Sequence, residues 1–431
     1  MYRVIRMRKV GRVTAALTAT AVLLAGCGRT ESSVGGSAAA PSTIGSAPAT
    51  GTLTIWAQAD EAAGLPAFAE EFMKANPGLT ITVNPLPWDA AHSKYQTAIA
   101  GGSTPDIAQM GTTWMSDFQD AFAPVPTSID TSAFFEGSAK TNEVGGTMLG
   151  VPWYVDTRVF YYRKDLAEKA GWKEFPKTWD EFKKFGKDLQ TKAGAKWGIG
   201  LPATGTDSFQ SMLMFPWSAG AKLTNDDNSK WTLDSQQWID ALTYYQSFFK
   251  DGISNPNPDT GAGAAEAAFV DGSTPVLVAG PSGIGSISKA GGGADYQSKF
   301  AVGRVPSNSS STSFVGGSNL VVFKNSKNAD AAWKFIQWMS TPEVQVRWQK
   351  AVGDLPAVKS AWQDKAFADD EFLKVFGAQL EDTAAPPTVT TWTQVSAAAD
   401  KVLERIVRSD ADPATSLKSL QSQADSIGTG S

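Results

Sequence analysis

An α/β fold built on parallel strands is what this sequence predicts. Leu53-Thr54-Ile55-Trp56 is a short β-type run, and Leu65, Phe68 and Phe72 follow it at the spacing of one helix face. Leu79, Ile81 and Val83 then alternate with polar residues, as a half-buried strand does. A second helical stretch, from His92 to Ala100, leads into Pro105-Asp106-Ile107-Ala108, the next strand. Strand, helix, strand, helix, strand calls for a parallel sheet with helices on its faces.

The boundaries have local causes. Asn76-Pro77-Gly78 stops the first helix, and Gly101-Gly102-Ser103 closes the second. Thr178-Trp179-Asp180-Glu181 has the form of a capping box. Trp238, Leu242, Tyr245 and Phe249 make one apolar helix face that Gly252 ends. Pro275 to Ala279 and Phe300 to Val305 are candidate buried strands, and Phe314 to Phe323 reads as a strand broken by Gly316-Gly317. Helices are expected near Asn328 and at Thr341-Pro342-Glu343, where proline takes the first helical position. The small, polar tail from Ser426 is expected to fray. No internal repeat is visible.

Ahead of this body lies an export signal. Arg3, Arg6, Arg8, Lys9 and Arg12 form a basic segment without an acid, and Val13 to Leu24 is an apolar run too short to span a bilayer. Met7 could equally serve as the start. The exit, Leu24-Ala25-Gly26-Cys27, looks like a bacterial lipobox. Cys27 is the only cysteine, so it has no intramolecular partner, and acylation would account for it. Residues 1–26 are thus expected to be a lipoprotein signal peptide. Residues 27–50, rich in Gly, Ser, Ala, Thr and Pro, are expected to be a flexible tether from acylated Cys27.

Removing residues 1–26 leaves 33 basic against 43 acidic side chains, a net charge of −10. That balance argues against nucleic acid or anionic lipid as a partner. His92, the one histidine, reads as an ordinary helix residue. The chain offers no His- or Cys-rich metal set, no Gly-x-Ser-x-Gly elbow and no Walker loop. No cofactor and no metal are expected.

Five segments in order carry a resemblance. They are Leu53 to Asp60, Pro105-Asp106-Ile107, Gly150-Val-Pro-Trp-Tyr154 running on to Tyr161-Tyr162-Arg163-Lys164-Asp165-Leu166, Phe314 to Phe323, and Ala331 to Glu343. Behind the lipobox, this set resembles the extracellular solute-binding proteins of carbohydrate ABC transporters, of the maltose and multiple-sugar type. The resemblance implies a periplasmic-binding-protein-like type II fold: two α/β lobes joined by a hinge, with the ligand cleft between them. By analogy, residues 51–157 plus 310–341 form lobe 1, and 158–309 plus 342–431 form lobe 2.

It also implies the site. A sugar presents hydroxyls and an apolar face, so it needs flat aromatic rings and polar side chains. Ligands of open α/β sheets bind beyond the carboxyl ends of strands. Trp56 ends the first strand, with Gln58 and Asp60 in the following loop; Asp60 could instead cap the next helix. Thr112 and Trp114 follow the third strand, where Thr112 could also cap a helix. Trp153, Tyr154 and Asp156 form the best cluster, with Tyr154 and Asp156 on one strand face and Trp153 on the other. Asp156 falls where the family places an acidic sugar-binding residue, although an ion pair with Arg158 is the competing reading. In the second lobe, Gln210 and Trp217 lie in a segment similar to one that lines the family's cleft. Gly280-Pro281-Ser282-Gly283 resembles a turn that carries a stacking aromatic after its proline; Ser282 stands there instead, with Trp217 or Trp392 as replacement. Gly316 and Gly317 could let backbone amides reach a ligand, or could simply make a β-bulge.

The expected function is capture of a di- or oligosaccharide by a monomeric lipoprotein, held on the outer face of the cytoplasmic membrane. It would deliver its ligand to ABC permease subunits. The same fold could bind a glycerophosphodiester, with Arg158 as the candidate phosphate ligand, or could serve a sensor. An enzyme is the reading from another class: Asp60 and Asp156 could nominally flank a glycosidic bond.

Overall fold

The computed structural model describes residues 43–205 and 207–430; the signal peptide, Cys27 and most of the expected tether fall outside the described residues. The strands in chain order are β1 (Gly51–Gln58), β2 (Leu79–Leu86), β3 (Ile107–Gly111), β4 (Glu143–Val144), β5 (Thr147–Met148) and β6 (Val151–Thr157). They continue as β7 (Val159–Arg163), β8 (Val276–Ala279), β9 (Phe300–Gly303), β10 (Ser313–Val322), β11 (Leu355–Pro356) and β12 (Thr383–Ala384). A seven-stranded sheet runs β11-β6-β10-β3-β1-β2, with β12 also paired to β10. A second sheet of three strands runs β8-β7-β9, and β4-β5 is a hairpin.

The two α/β regions expected from the sequence are both present. β1, β2 and β3 are parallel, while β10 runs antiparallel to β3 and to β6. The carboxyl ends of β1, β2, β3 and β6 therefore share one edge of the large sheet, together with the start of β10. Leu65, Phe68 and Phe72 of helix Ala59–Ala75 pack on one face with Leu53 and Ile55. Phe68 meets Trp348 edge-on at 5.1 Å, and Phe72 meets Phe335 at 5.3 Å. Tyr95, Met110, Phe118 and Phe122 form a separate cluster with Val321 and Phe323. Around the small sheet, the helix face of Trp238, Leu242, Tyr245 and Phe249 packs with Leu403, Ile406, Leu417 and Leu420. The Thr178 capping box is formed: its hydroxyl accepts from the Glu181 amide at 3.3 Å, and the Glu181 carboxylate accepts from the Thr178 amide at 3.2 Å.

Three expectations change. The end of the tether is bound rather than free. The Gly45 amide donates to Asp330 at 2.7 Å, Lys334 donates to the Ala47 carbonyl at 2.6 Å, and the Ala49 amide donates to Asn76 at 2.8 Å. Small residues suit this role because backbone groups make the contacts. The tail also is tied: Trp231 and Thr391 both donate to the Gly428 carbonyl, at 2.9 and 2.7 Å. Lastly, the chain does not leave the large sheet near residue 341. Helix Pro342–Val352 puts Trp348 against Trp153 at 4.7 Å, and β11 pairs with β6. The departure comes after β12, whose Thr383 and Ala384 pair with Ser313 and Phe314. Helices Trp392–Arg408 and Pro413–Ile427 then join the second core.

Candidate functional site

Strand pairing sets the order of groups along the shared edge. Gln58 pairs with Leu86, so the residues after β1 and β2 are neighbours, and Gly111 pairs with Ser318. Ser318 pairs with Tyr154, and Leu355 with Val155, which brings Asp354 in beside β6.

Under this edge runs a buried polar network. Gln58, wholly buried, donates from Nε2 to the Tyr95 hydroxyl at 2.7 Å, and its amide donates to Gln109 Oε1 at 2.7 Å. Gln109 Nε2 donates to Ser318 Oγ at 3.2 Å and to the Tyr154 hydroxyl at 3.4 Å. Ser318 Oγ lies 3.1 Å from that same hydroxyl, which also meets Glu61. Burial, with Glu61 and Asp354 nearby, pushes the Tyr154 hydroxyl well above its ordinary range, so it stays neutral. Asp354 accepts from Trp348 Nε1 at 3.0 Å. Burial pushes its carboxyl up to about 7, and the charges of Glu61, Asp156 and Asp60 add to the effect. Among the buried side-chain oxygens without a hydrogen-bond partner in the described residues, two lie at this edge: Gln58 Oε1 and Asp156 Oδ1. Buried acceptors of this kind normally find a donor.

Asp156 is also bound to Arg158, as the competing reading held, and the Arg158 guanidinium sits 5.6 Å over the Phe314 ring. The pair leaves Asp156 Oδ1 buried and without a hydrogen-bond partner. Tyr154 and Asp156 share the partly exposed face of β6, and Trp153 is buried on the other.

The remaining residues separate. Trp56 is partly buried, 5.9 Å from the Tyr95 ring, while Asp60 is exposed in the first turn of the helix that follows Gln58. Thr112 and Trp114 sit in one short 3-10 turn, both partly exposed. Trp114 packs edge-on against Trp88 at 5.5 Å and against His92 at 5.4 Å; His92 in turn pairs with Asp117 at 2.9 Å. Ser282 is exposed at the start of helix Gly283–Ala290.

Several expected platforms are buried. Trp153, Trp217 and Trp392 are 1%, 7% and 3% exposed. Trp153 fills the first core, and Trp217 and Trp392 fill the second, with Trp392 6.3 Å from Trp231. Gln210 accepts from Trp392 Nε1 at 3.3 Å and so braces that core. Gly316 and Gly317 are also explained locally. Gly317 has φ +116°, and a Cβ there would lie 2.2 Å from the Tyr154 carbonyl. The close approach is to β6, next to a bulge at Ser318/Asn319.

A cavity lies elsewhere. Its volume is about 980 Å³, and it is lined by Glu136 and Lys140, by Asp226 and Asn228, and by Pro386 and Pro387. Neither tryptophan nor tyrosine borders it, and none of the candidate residues does. A second cavity of about 430 Å³ borders Trp217. Aromatic rings, unpartnered acceptors and the raised carboxyl of Asp354 come together at the strand edge, which makes the edge the better candidate.

The sequence pattern of the bacterial extracellular solute-binding proteins matches residues 56–346. The chain belongs to this family. The structure superposes on the sugar-binding protein MalE of Xanthomonas citri with a TM-score of 0.83 and 31% identity, covering 88% of this chain and 97% of that one. A maltotriose-binding protein of Pyrococcus abyssi is 24% identical over 82% of this chain and 78% of its own length. A galactooligosaccharide-binding protein of Bacillus subtilis is 22% identical over 96% of both chains. The solute-binding fold of two α/β lobes expected from the sequence is therefore the fold observed. No helix among the described residues is long and apolar enough to cross a membrane.

The edge also holds residues that the sequence reading passed over. Glu61 and Trp88 had a local signal, since each follows a strand's carboxyl end as Asp60 and Trp114 do. Asp354 had none: it reaches the site only because β11 pairs with β6.

Proposed function

We propose that this solute-binding protein captures a sugar of two or more units and delivers it to ABC permease subunits, without chemical turnover. The observation that carries this reading is the convergence on one sheet edge of Trp56, Trp114, Tyr154 and Asp156 with the unpartnered oxygens of Gln58 and Asp156. Rings can meet the apolar face of a sugar, and the oxygens can accept its hydroxyls. The sugar-binding relatives support the same reading. Attachment through acylated Cys27, to the outer face of the cytoplasmic membrane, belongs to this proposal and rests on the lipobox. Arg158 is the cation that a phosphodiester would need, and its engagement by Asp156 weighs against that alternative.

The test is a thermal-shift screen of the protein from residue 28 onward against mono-, di- and oligosaccharides, glycerophosphodiesters and peptides. A ligand of the folded form raises the melting temperature by mass action. A shift with saccharides that Asp156→Ala abolishes supports the reading, together with recovery of intact sugar. A shift only with phosphodiesters or peptides refutes it, and release of shortened sugar would make the protein an enzyme.

A further inference from the structure

Among the described residues, Trp88 is the one large hydrophobic side chain classed as exposed, at 37%. Lone exposed hydrophobics are common and need no explanation. Trp88 differs in being held. It begins helix Trp88–Ala100 directly beyond β2, and its ring rests edge-on against Trp114, 5.5 Å away. Trp114 is backed by His92, and His92 by Phe118 at 4.8 Å and by Asp117. A braced indole loses little freedom when something lands on it, which is what a stacking surface requires.

Its position sets the scale. From β6, which carries Asp156, to β2, which precedes Trp88, the sheet order is β6-β10-β3-β1-β2. Four inter-strand steps span about 19 Å. One hexose lengthens an extended chain by roughly one such step, so a saccharide of about three units or fewer at Asp156 falls short of Trp88. Between the two ends lie Trp114 and the residues after β1, with no strand interposed that would block a chain lying along the edge.

We infer that Trp88 is an outer stacking platform, by which the site selects saccharides of about four units or more over shorter ones. The inference rests on the carbohydrate reading above and extends it to chain length. Trp114 is the positioning residue that holds the Trp88 ring at its angle.

Calorimetric titration of two series, maltodextrins and galacto-oligosaccharides of two to five units, tests it on the protein from residue 28 onward. In the wild type, affinity should climb as the series that binds lengthens past the trisaccharide. Trp88→Ala should weaken the longest saccharide by about tenfold and leave the disaccharide within about twofold. Trp88→Phe should recover part of the loss, since a ring remains. Equal losses at all lengths, or no loss at any, would overturn the inference while leaving sugar capture intact. Failure of both series to bind would remove the carbohydrate reading and this one with it.

Discussion

Gly280 lies so close to Asp156 that a Cβ built on it would fall 2.6 Å from Asp156 Oδ1 and 2.6 Å from Arg158 Nη1. Its carbonyl accepts from the Tyr161 hydroxyl at 2.7 Å, so the backbone cannot withdraw. A glycine from the end of the small sheet is thus packed on the acid near the end of β6. Gly280→Ala should displace the Asp156–Arg158 pair and cost about 1–3 kcal/mol of stability. Thermal unfolding reads that loss. Titration with any saccharide found to bind should show weakened affinity, and an unchanged variant would mean that the pair moves aside freely.

Tyr154 joins β6 to the polar network beneath the edge. Tyr154→Phe removes the hydroxyl but keeps the ring, leaving Ser318 and Gln109 short of a partner. The expected cost is about 1–2 kcal/mol, read as a lower urea midpoint at unchanged slope.

The carboxyl of Asp354 gives stability a pH dependence of unusual sign. Its folded-state value is raised to about 7, so the folded protein holds a proton that the unfolded chain has released. The favourable contribution is complete below the ordinary carboxylate value of about 4 and is lost as pH rises through about 7. Asp354→Asn should change little near pH 4 and stabilise by roughly 1–3 kcal/mol at pH 8. Urea midpoints of the two proteins across that range check it. Parallel curves would assign the slope to other groups.

Trp392 and Trp88 should respond oppositely to truncation. Trp392 is buried in the second core, and Trp392→Ala should cost about 3–5 kcal/mol. Trp88→Ala, at an exposed site, should stay within about 0.5 kcal/mol in calorimetric unfolding. A large loss at Trp88 would make it a structural residue.

Much of the fold was legible because local rules and the final packing agree. The alternation around Leu79, Ile81 and Val83, the apolar face from Trp238 to Phe249 and the Thr178 capping box all depend on neighbours in sequence. The candidate edge was legible where a residue lies near or just after a strand end, as with Trp56, Asp60, Trp114 and Asp156. It was not legible where burial decides. Trp153, Trp217 and Trp392 are the same chemical object as Trp88, and only the packed structure separates a core indole from an exposed one. The docking of Ile44 to Ala49 was also hidden, since backbone amides make it and composition alone reads as unstructured.

That docking decides how force would travel. Tension on the chain ahead of Ile44 passes into Ser128, Asp330 and Asn76, and through the Ala47 carbonyl into Lys334. All four are groups on or beside the large sheet. The small sheet, attached through the β6–β7, β9–β10 and β12 crossings, lies off that load path. A pull from the amino-terminal side would strain one lobe and leave the other mechanically slack.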